Sequence, residues 1–240
     1  MSADFVAFPT TPHLLWLGTS PLRSDKLLPR VAAESFLQQP VVIEEKIDGA
    51  NVGISFDVRG ELVAQNRGSV LRPEAHDQFK PLWPWLRQIE LPLFDVLDQS
   101  LILFGEWCFA RHSISYTRLP GWFLAFDVYD RRERRFFSTV RRNEIAARLD
   151  LPTVPQVGAG RVQLAEIPHW IGQSAFYDGP MEGVYLRQED ESWLHQRAKV
   201  VRPEFARQID EHWSRQPLVP NRLAATTAVG PPRTATDSRG

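Results

Sequence analysis

Short apolar runs with the alternation of β-strands recur through most of the chain and constrain its fold more than any other feature. In NVGISFDV, for example, Val52, Ile54, Phe56 and Val58 alternate with small or polar residues, which is the period-two pattern of a half-buried strand. Helical patterns are fewer, and the order lacks the regular strand–helix alternation that predicts a parallel sheet. The pattern therefore predicts an α+β fold built on antiparallel sheets. The predicted strands cover residues 41–47, 51–58, 61–67, 101–107, 122–130, 135–138, 181–187 and 192–201.

Turn residues and helix-terminal residues divide the chain between these strands. Asp48-Gly49 and Arg59-Gly60 separate the first three runs, which predicts that these runs form a three-stranded meander. Ser138 has the side chain of a helix N-cap before VRRNEIAARL. Together with the patterns over about 74–99, 163–173 and 203–213, this signal predicts four helices, of which the one over 74–99 is interrupted at Pro84 and Pro92.

Composition bounds the number of domains and the class of protein. The chain has 240 residues and no Gly/Ser-rich linker within residues 1–215, so we predict one domain there. Pro, Thr, Ala, Gly and Arg dominate from residue 216 onward, which predicts a disordered tail over 216–240 because little apolar surface can be buried. The single cysteine, Cys108, excludes an internal disulfide framework, and the net charge of −1 excludes a binder that works by bulk positive charge. The lack of a long apolar run or a secretory signal predicts a soluble, cytoplasmic protein.

Lys46 is the first candidate for a chemical role, because it ends an apolar run and is followed by Ile47-Asp48-Gly49. A lysine that acts as a nucleophile must be neutral, but its ordinary pKa is about 10.4. A buried strand end and neighbouring cations would lower the pKa of Lys46, and Gly49 would let the backbone approach a ligand closely. A surface lysine beside an Asp-Gly turn explains the same residues equally well, so both interpretations are open at this point.

Charged and aromatic side chains also stand inside or at the ends of other apolar runs. A buried charge is costly unless it is paired or used in binding. Several such placements in one domain therefore indicate a functional site rather than surface decoration. The residues concerned are Arg67, Glu106, Phe126, Asp127, Glu182, Arg197 and Lys199.

The same runs, taken in order, resemble the motifs of the covalent nucleotidyltransferases, the superfamily of polynucleotide ligases and mRNA capping enzymes. Motifs I, III, IIIa, IV and V of that superfamily are similar to EKIDGAN (45–51), GEW (105–107), FLAFDVYD (123–130), EGVYLR (182–187) and RAKVV (197–201). The closer resemblance is to the RNA ligase family, in the branch of the second phage-type RNA ligase, whose lysine motif reads Glu-Lys-x-x-Gly-x-Asn. It covers residues 8 to about 206. It implies an α+β nucleotidyltransferase core, similar to ATP-grasp-like ligases, with antiparallel sheets flanked by helices and no C-terminal OB domain.

The resemblance implies an ATP-dependent RNA ligase. Such an enzyme seals 5′-phosphate and 3′-hydroxyl RNA ends through a covalent lysyl-AMP intermediate, with ATP and Mg²⁺ (or Mn²⁺) as cofactors. The implied context is RNA repair, in which an end-healing kinase-phosphatase partner would supply the ends. Asp48, however, is the residue of DNA ligases and capping enzymes, where the phage-type enzyme has His. A DNA ligase, a capping-type nucleotidyltransferase and a non-catalytic nucleic-acid-binding relative therefore remain alternatives.

The resemblance also implies a role for each matched residue. Lys46 would attack the α-phosphate of ATP, and Arg197 and Lys199, two apart in one strand, would contact that phosphate. Position 197 departs from many relatives, which carry Lys there. Glu182 would hold the metal ion, since Mg²⁺ prefers oxygen ligands. The implied nucleotide-binding residues are Glu106 for the ribose, Phe126 for stacking on the adenine, Glu45 for the adenine or the metal, and Arg67 and Asn51 on the side of the incoming nucleic-acid ends.

Overall fold

The structure of the protein is a computed structural model that describes residues 5–18, 26–74, 76–208 and 218–225. No helix in these ranges is long and apolar enough to cross a membrane. The strands are β1 (Val41–Lys46), β2 (Ala50–Phe56), β3 (Leu62–Gln65), β4 (Leu101–Trp107), β5 (Phe123–Asp130), β6 (Arg135–Phe136), β7 (Gln156–Gly160), β8 (Gly183–Glu189) and β9 (Leu194–Val201). The helices are α1 (Arg30–Leu37), α2 (Leu82–Leu97), α3 (Thr139–Arg148) and α4 (Pro203–Gln208), with 3₁₀ helices at Asp77–Phe79 and Leu164–Trp170.

The strands pair in two antiparallel sheets. Sheet A has the order β7-β1-β8-β9, and sheet B has the order β3-β2-β4-β5-β6. Helices α2 and α3 pack on sheet B, while α1 packs on sheet A beside the second 3₁₀ helix. The prediction of an α+β fold with antiparallel sheets flanked by helices is confirmed.

Each sheet buries one face in its own hydrophobic core. In sheet B, Ile54 and Val128 pack in one cluster with Leu86 of α2. In sheet A, Ile43 packs in a second cluster with Phe36 of α1. Full burial of a side chain of this size stabilises the fold by about 1.5–3 kcal/mol. The two cores therefore fix the sheets separately and leave the space between them for a cavity.

The first three strands do not form the predicted meander. Strands β2 and β3 pair as a hairpin, but β1 pairs with β7 and β8 in the other sheet. The chain crosses between the sheets at Asp48-Gly49, where a Cβ on Gly49 would lie 2.8 Å from the carbonyl oxygen of Trp107. Glycine is required at this crossing because the backbone of β4 approaches so closely. Periodicity identifies strands but not their partners, so the sequence pattern could not distinguish a hairpin from a crossover.

Several helices differ from the prediction in their bounds or in their helix type. Helix α1 was not predicted. Helix α2 begins at Leu82 and continues without a break to Leu97, so the predicted interruption at Pro84 and Pro92 is wrong. The predicted helix over 163–173 is a 3₁₀ helix with Pro168 inside it. The cap of α3 is confirmed, because Ser138 Oγ accepts the N–H of Arg141 at 3.4 Å. For the last predicted helix, residues 209–213 lie outside the described residues.

Part of the predicted tail is docked on the domain. Residues 218–225 run beside the loop 108–119, and Asn221 is buried there. In this stretch the structure differs from the predicted disordered tail. Main-chain hydrogen bonds and one buried side-chain amide hold the segment in place. A prediction from composition considers only how much apolar surface a segment can bury, so it does not detect these contacts. The predicted boundary near residue 215 and residues 226–240 lie outside the described residues.

Candidate active site

A cavity of about 370 Å³ lies between the two sheets. This volume falls within the range of small-molecule sites, about 300–1,000 Å³. Glu182 joins the site through its contact with Lys46. Strands of both sheets therefore bring together most of the residues that the motifs select. Those that line the cavity are Glu45, Lys46, Asn51, Arg67, Glu106, Phe126 and Lys199.

Lys46, the last residue of β1, holds its amine against a carboxylate. Its Nζ donates to Oε2 of Glu182 at 2.6 Å, and its side chain is 23% exposed. Burial alone would lower the pKa of Lys46, but the charges of Glu182, Glu106 and Asp48 outweigh burial and raise that pKa above its ordinary value. The expectation that neighbouring cations lower this pKa is therefore wrong, because the dominant neighbouring charges are carboxylates.

The two glutamates beside Lys46 titrate well above their ordinary range. Burial raises the pKa of Glu182 to about 7, although the charge of Lys46 opposes the shift. Burial also raises the pKa of Glu106 to about 8, again against the charge of Lys46 and with a smaller contribution from Glu182. Carboxyl groups with a pKa near neutrality are typical of sites that bind ions or transfer protons.

Lys199 and Arg197, both on β9, reach different surroundings. Lys199 lines the cavity, and burial together with the charge of Lys46 lowers its pKa to about 8. Arg197 does not line the cavity: its Nη1 lies 2.8 Å from Oδ2 of Asp127, and its guanidinium stacks 4.0 Å from the ring centre of Phe136. The structure thus brings Lys199, but not Arg197, to the side of Lys46.

Phe126 enters the cavity from an irregularity in sheet B. The register between β4 and β5 shifts next to Gly105, which lies opposite Ala125, so Phe126 is the extra residue of a β-bulge. Its ring meets Phe8 edge to face at 5.3 Å between centroids. Bulges redirect a side chain out of the regular alternation, and here the ring is partly exposed to the cavity.

Two buried arginines hold the carbonyl group of Phe126. Arg142 Nη1 donates to it at 3.0 Å and Arg187 Nη1 at 3.3 Å. The same guanidinium groups balance buried carboxylates, which would otherwise be strongly destabilising. The ion pairs of this buried network join Glu44 to Arg142 (2.7 Å), Asp127 to Arg187 (2.8 Å) and to Arg197 (2.8 Å), and Glu189 to Arg187 (3.1 Å).

The remaining predicted residues all line the cavity but differ in how many hydrogen bonds their side chains make. The carboxylate of Glu45 accepts hydrogen bonds from Ser174 Oγ at 2.5 Å and from the N–H of Ala175 at 3.0 Å, while burial raises its pKa. Oδ1 of Asn51 is buried and, within the described residues, has no hydrogen-bond partner. Arg67 is exposed and donates to a main-chain carbonyl of the N-terminal segment. Of these three, Asn51 holds an unused acceptor at the cavity.

Sequence reasoning missed several side chains of the cavity wall. Glu44 stands two residues before Lys46 in β1, so strand alternation could have placed both on one side. Thr11 and Tyr185 are joined by a hydrogen bond between their hydroxyl groups, and no local pattern predicts that contact across the chain. The missed lining residues include Phe8, Thr11, Glu44, Val154, Tyr185 and Arg187.

The acidic residues of the site suit a metal ion that arrives with phosphates. In the part of the chain that the structure describes, no group of three or more His, Cys, Asp or Glu side chains is arranged to hold a metal ion. Mg²⁺ usually binds through one or two carboxylates together with substrate phosphates and water. Glu182 and Glu106, both within electrostatic reach of Lys46, fit that mode rather than an all-protein cage.

Solved structures with a similar architecture include those of an RNA ligase. The Naegleria gruberi RNA ligase with PPi is similar with a TM-score of 0.61 at 18% identity, covering 88% of this chain and 64% of that one. A mutant of that ligase with ATP and Mn gives a TM-score of 0.61 at 17% identity, covering 88% and 60%. A second mutant, with AMP and Mn, gives 0.60 at 20% identity, covering 89% and 62%. The chain spans less than two thirds of these structures, and the likeness establishes the RNA ligase nucleotidyltransferase fold.

The sequence itself defines the family. The pattern of the RNA ligase family matches residues 39–201, which is more than half of the chain and runs from just before β1 to the end of β9. No curated protein matches the sequence. The protein belongs to the RNA ligase family, as the order of its motifs predicts.

Proposed function

We propose that the protein is an ATP-dependent RNA ligase that seals 5′-phosphate and 3′-hydroxyl ends through a lysyl-AMP intermediate on Lys46. The observation that carries the proposal is the place of Lys46, whose Nζ lies 2.6 Å from Glu182 at a cavity that Lys199 also lines. The ligase of similar fold was solved with ATP or AMP together with Mn. That finding supports ATP and a divalent cation as the cofactors of this chain.

In the first step, the neutral Nζ of Lys46 attacks the α-phosphorus of ATP. A nitrogen–phosphorus bond forms, the bond to the bridging oxygen breaks, and pyrophosphate leaves. Deprotonation at pH 7 from a pKa above about 10.4 costs more than about 4 kcal/mol. Glu182 keeps Nζ protonated through its charge and its hydrogen bond. Engagement of this carboxylate by a divalent cation would remove that stabilisation, so that Nζ would lose its proton to water. Lys199 would balance the charge that develops on the α-phosphate.

The other residues would hold the nucleotide. Phe126 would stack on the adenine, and Glu106 would accept hydrogen bonds from the ribose. A divalent cation, held by Glu182 with water and phosphate oxygens, would neutralise charge on the phosphates. We assign the phosphate contact to Lys199 rather than to Arg197, because Arg197 is paired with Asp127. Asn51 and Arg67 would face the RNA ends, and Glu45, bonded to the 174–175 loop, would form a wall of the cavity.

The later steps transfer and then release AMP. An oxygen of the RNA 5′-phosphate would attack the phosphorus on Lys46, so that the nitrogen–phosphorus bond breaks and a pyrophosphate linkage forms. The 3′-hydroxyl would then attack the 5′-phosphate and expel AMP. This substrate requirement supports a role in RNA repair, beside a kinase-phosphatase that prepares the ends.

The test is covalent labelling of the protein by ATP. With α-³²P-labelled ATP and Mg²⁺, we expect one AMP on the wild type and none on Lys46→Ala. Lys80→Ala is the matched control, because Lys80 is exposed and pairs with Asp77, so this variant should label like the wild type. Label from γ-³²P-ATP should not be retained. Equal labelling of the wild type and Lys46→Ala, or no labelling of the wild type, would refute the proposed intermediate.

A second assay separates the alternatives by substrate. The labelled protein is offered RNA or DNA strands with adjacent 5′-phosphate and 3′-hydroxyl ends, and ATP is competed with GTP. Sealing of RNA with ATP supports the proposal. Sealing of DNA alone indicates a DNA ligase, labelling by GTP indicates a capping-type enzyme, and RNA binding without pyrophosphate release indicates a non-catalytic relative.

A further inference from the structure

Residues 218–225 follow the loop 108–119 along most of its length. This C-terminal segment lies beyond the range that matches the family. Its main chain both donates to and accepts from the loop, and isolated bridges pair Ala110 with Pro220 and Leu119 with Leu223. The hydrogen bonds run from the N–H of Arg111 to Val219 O (2.8 Å), Asn221 to Phe109 O (2.8 Å), Arg222 to Tyr116 O (2.9 Å), Leu119 to Arg222 O (3.0 Å) and Ala224 to Leu119 O (2.8 Å).

Asn221 inserts its amide into the loop. The residue is 4% exposed, and its Nδ2 donates to the carbonyl oxygens of Cys108 at 2.8 Å and Ala110 at 3.2 Å. Its Oδ1 accepts the N–H of Tyr116 at 2.9 Å. One side chain therefore joins both ends of the turn between residues 108 and 116. Only an amide supplies two donors and one acceptor in this geometry.

The loop, in turn, holds Asp48. The N–H groups of Ser113 and Ile114 donate to Oδ2 of Asp48 at 2.6 and 2.8 Å. The N–H of Asp48 donates to the hydroxyl oxygen of Tyr116 at 2.9 Å. The main chain of Asp48 is thus bonded to Tyr116, which Asn221 holds directly. Its side chain is bonded to Ser113 and Ile114, which lie within the turn that Asn221 closes. Asp48 lies at the crossing between the sheets, two residues after Lys46, and its charge acts on that amine.

We propose that the C-terminal segment 218–225 completes the active site and that Asn221 is a positioning residue for Lys46, acting through the loop 108–119 and Asp48. This role concerns the adenylylation of Lys46 and so rests on the function proposed above. Without the amide, the turn at 108–116 loses three hydrogen bonds, and the two N–H groups that hold the Asp48 carboxylate become free to move. The nucleotide-binding side chains on β4, β5 and β9 are outside this chain of contacts, so the rate of adenylylation changes and ATP binding does not.

The test combines full-length variants in a double-mutant cycle. The rate constant of Lys46 adenylylation is measured at saturating ATP for Asn221→Ala, Asp48→Ala and both together. Asn221→Ala should lower this rate constant about tenfold, equivalent to about 1.4 kcal/mol, and leave the half-saturating ATP concentration within about twofold. Added to Asp48→Ala, it should lower the rate less than about twofold further, because coupled residues are not additive. A purely structural role would give the full tenfold loss in both backgrounds and would overturn the proposal.

Two controls keep the outcome decisive. Arg222→Ala, an exposed position that contributes its main chain to the segment, should retain the wild-type rate within about twofold. Asn221→Asp keeps the size and the acceptor but loses both donors, and it replaces Asn221→Ala if that variant does not fold.

Hydrogen exchange separates this proposal from the proposed function. The amides of Ser113 and Ile114 should exchange faster in Asn221→Ala than in the wild type or Arg222→Ala. Unchanged exchange in Asn221→Ala would overturn the positioning role whether or not the protein reacts with ATP. Absence of labelling in the wild type would overturn the proposed function. Faster exchange in Asn221→Ala would still show that the C-terminal segment stabilises the loop 108–119.

Discussion

Replacement of Arg187 by Met should destabilise the protein strongly, because it unbalances the buried network beneath the cavity. Arg187 pairs with Asp127 at 2.8 Å and with Glu189 at 3.1 Å, and its side chain is 1% exposed. The network contains three carboxylates and three guanidinium groups, so Arg187→Met leaves one excess negative charge in the interior. Met fills much of the same volume, which makes lost charge balance the main perturbation.

The size of the stability loss depends on which hydrogen-bonding or charged partners each carboxylate keeps when Arg187 is removed. Removing one partner of a buried ion pair costs about 3–5 kcal/mol when the other charge is left uncompensated. Asp127 keeps Arg197 at 2.8 Å, and Glu44 keeps Arg142 at 2.7 Å. Glu189 loses its ion pair but keeps the hydrogen bond from the N–H of Thr139 at 2.9 Å, so the lower end applies. We expect a loss of about 3 kcal/mol in the free energy of unfolding at pH 7, or a decrease in Tm of about 6–12 °C.

Urea unfolding of four proteins tests this reasoning. The wild type, Arg187→Met, Glu189→Gln and the double variant are compared by their extrapolated free energies of unfolding. Glu189 is chosen because its ion pair in this network is with Arg187, so the other two pairs stay intact in the double variant. The double variant restores the balance of charge, so it should be more stable than Arg187→Met by at least about 1 kcal/mol. If the two losses simply add in the double variant, charge balance is not what Arg187 provides, and the argument fails.

Two further predictions concern other charged groups. Glu182→Gln should lower the pKa of Lys46 by at least about one, because a charge at 2.6 Å contributes at least about 1.6 kcal/mol even in a water-like dielectric. The pH dependence of Lys46 acylation, followed by mass spectrometry, measures this pKa, and an unchanged value would contradict the assignment of Glu182 as the dominant charge. Burial, together with the charges of Lys199 and Lys46, lowers the pKa of His13 to about 4, so the unfolded chain takes up a proton below about pH 6.5 and the folded chain only below about 4. Stability should therefore fall by up to about 3 kcal/mol between pH 7 and pH 4. His13→Phe should lack this part of the pH dependence. Urea unfolding of the wild type and of His13→Phe at pH 7 and pH 4 measures it, and an equal loss of stability in the two proteins would refute the prediction.

The sequence predicts which residues form the site better than it predicts which side chains each of them contacts. Lys46, Glu106 and Lys199 stand at strand positions where a buried charge is costly without a use, and all three line one cavity. The same reasoning placed Arg197 with Lys199, because side chains two apart in a strand project to one side. It could not foresee that β5 brings Asp127 within 2.8 Å of Arg197. Such contacts depend on which strands become neighbours, and alternation within a strand carries no information about that.

The C-terminal segment shows a second limit of reasoning from composition. Residues 216–240 lack the apolar surface that usually predicts order. Asn221 is nevertheless buried, since its amide satisfies three main-chain groups of the loop 108–119. A single asparagine in a Pro-rich stretch gives no periodic signal, so this contact could be found only from the structure.

The position of Lys46 follows from the one short turn that joins β1 of sheet A to β2 of sheet B. Lys46 ends β1, and Ala50 begins β2, so three residues carry the chain from one hydrophobic core to the other. Gly49 permits this turn to lie against β4, and Asp48 ties it to the loop 108–119. The amine therefore has its place fixed from three directions: by sheet A behind it, by β4 beside it, and by the loop that the C-terminal segment holds. A change in any of the three should move Nζ relative to Glu182. For this reason we expect a substitution as distant in sequence as Asn221 to affect the proposed reaction at Lys46.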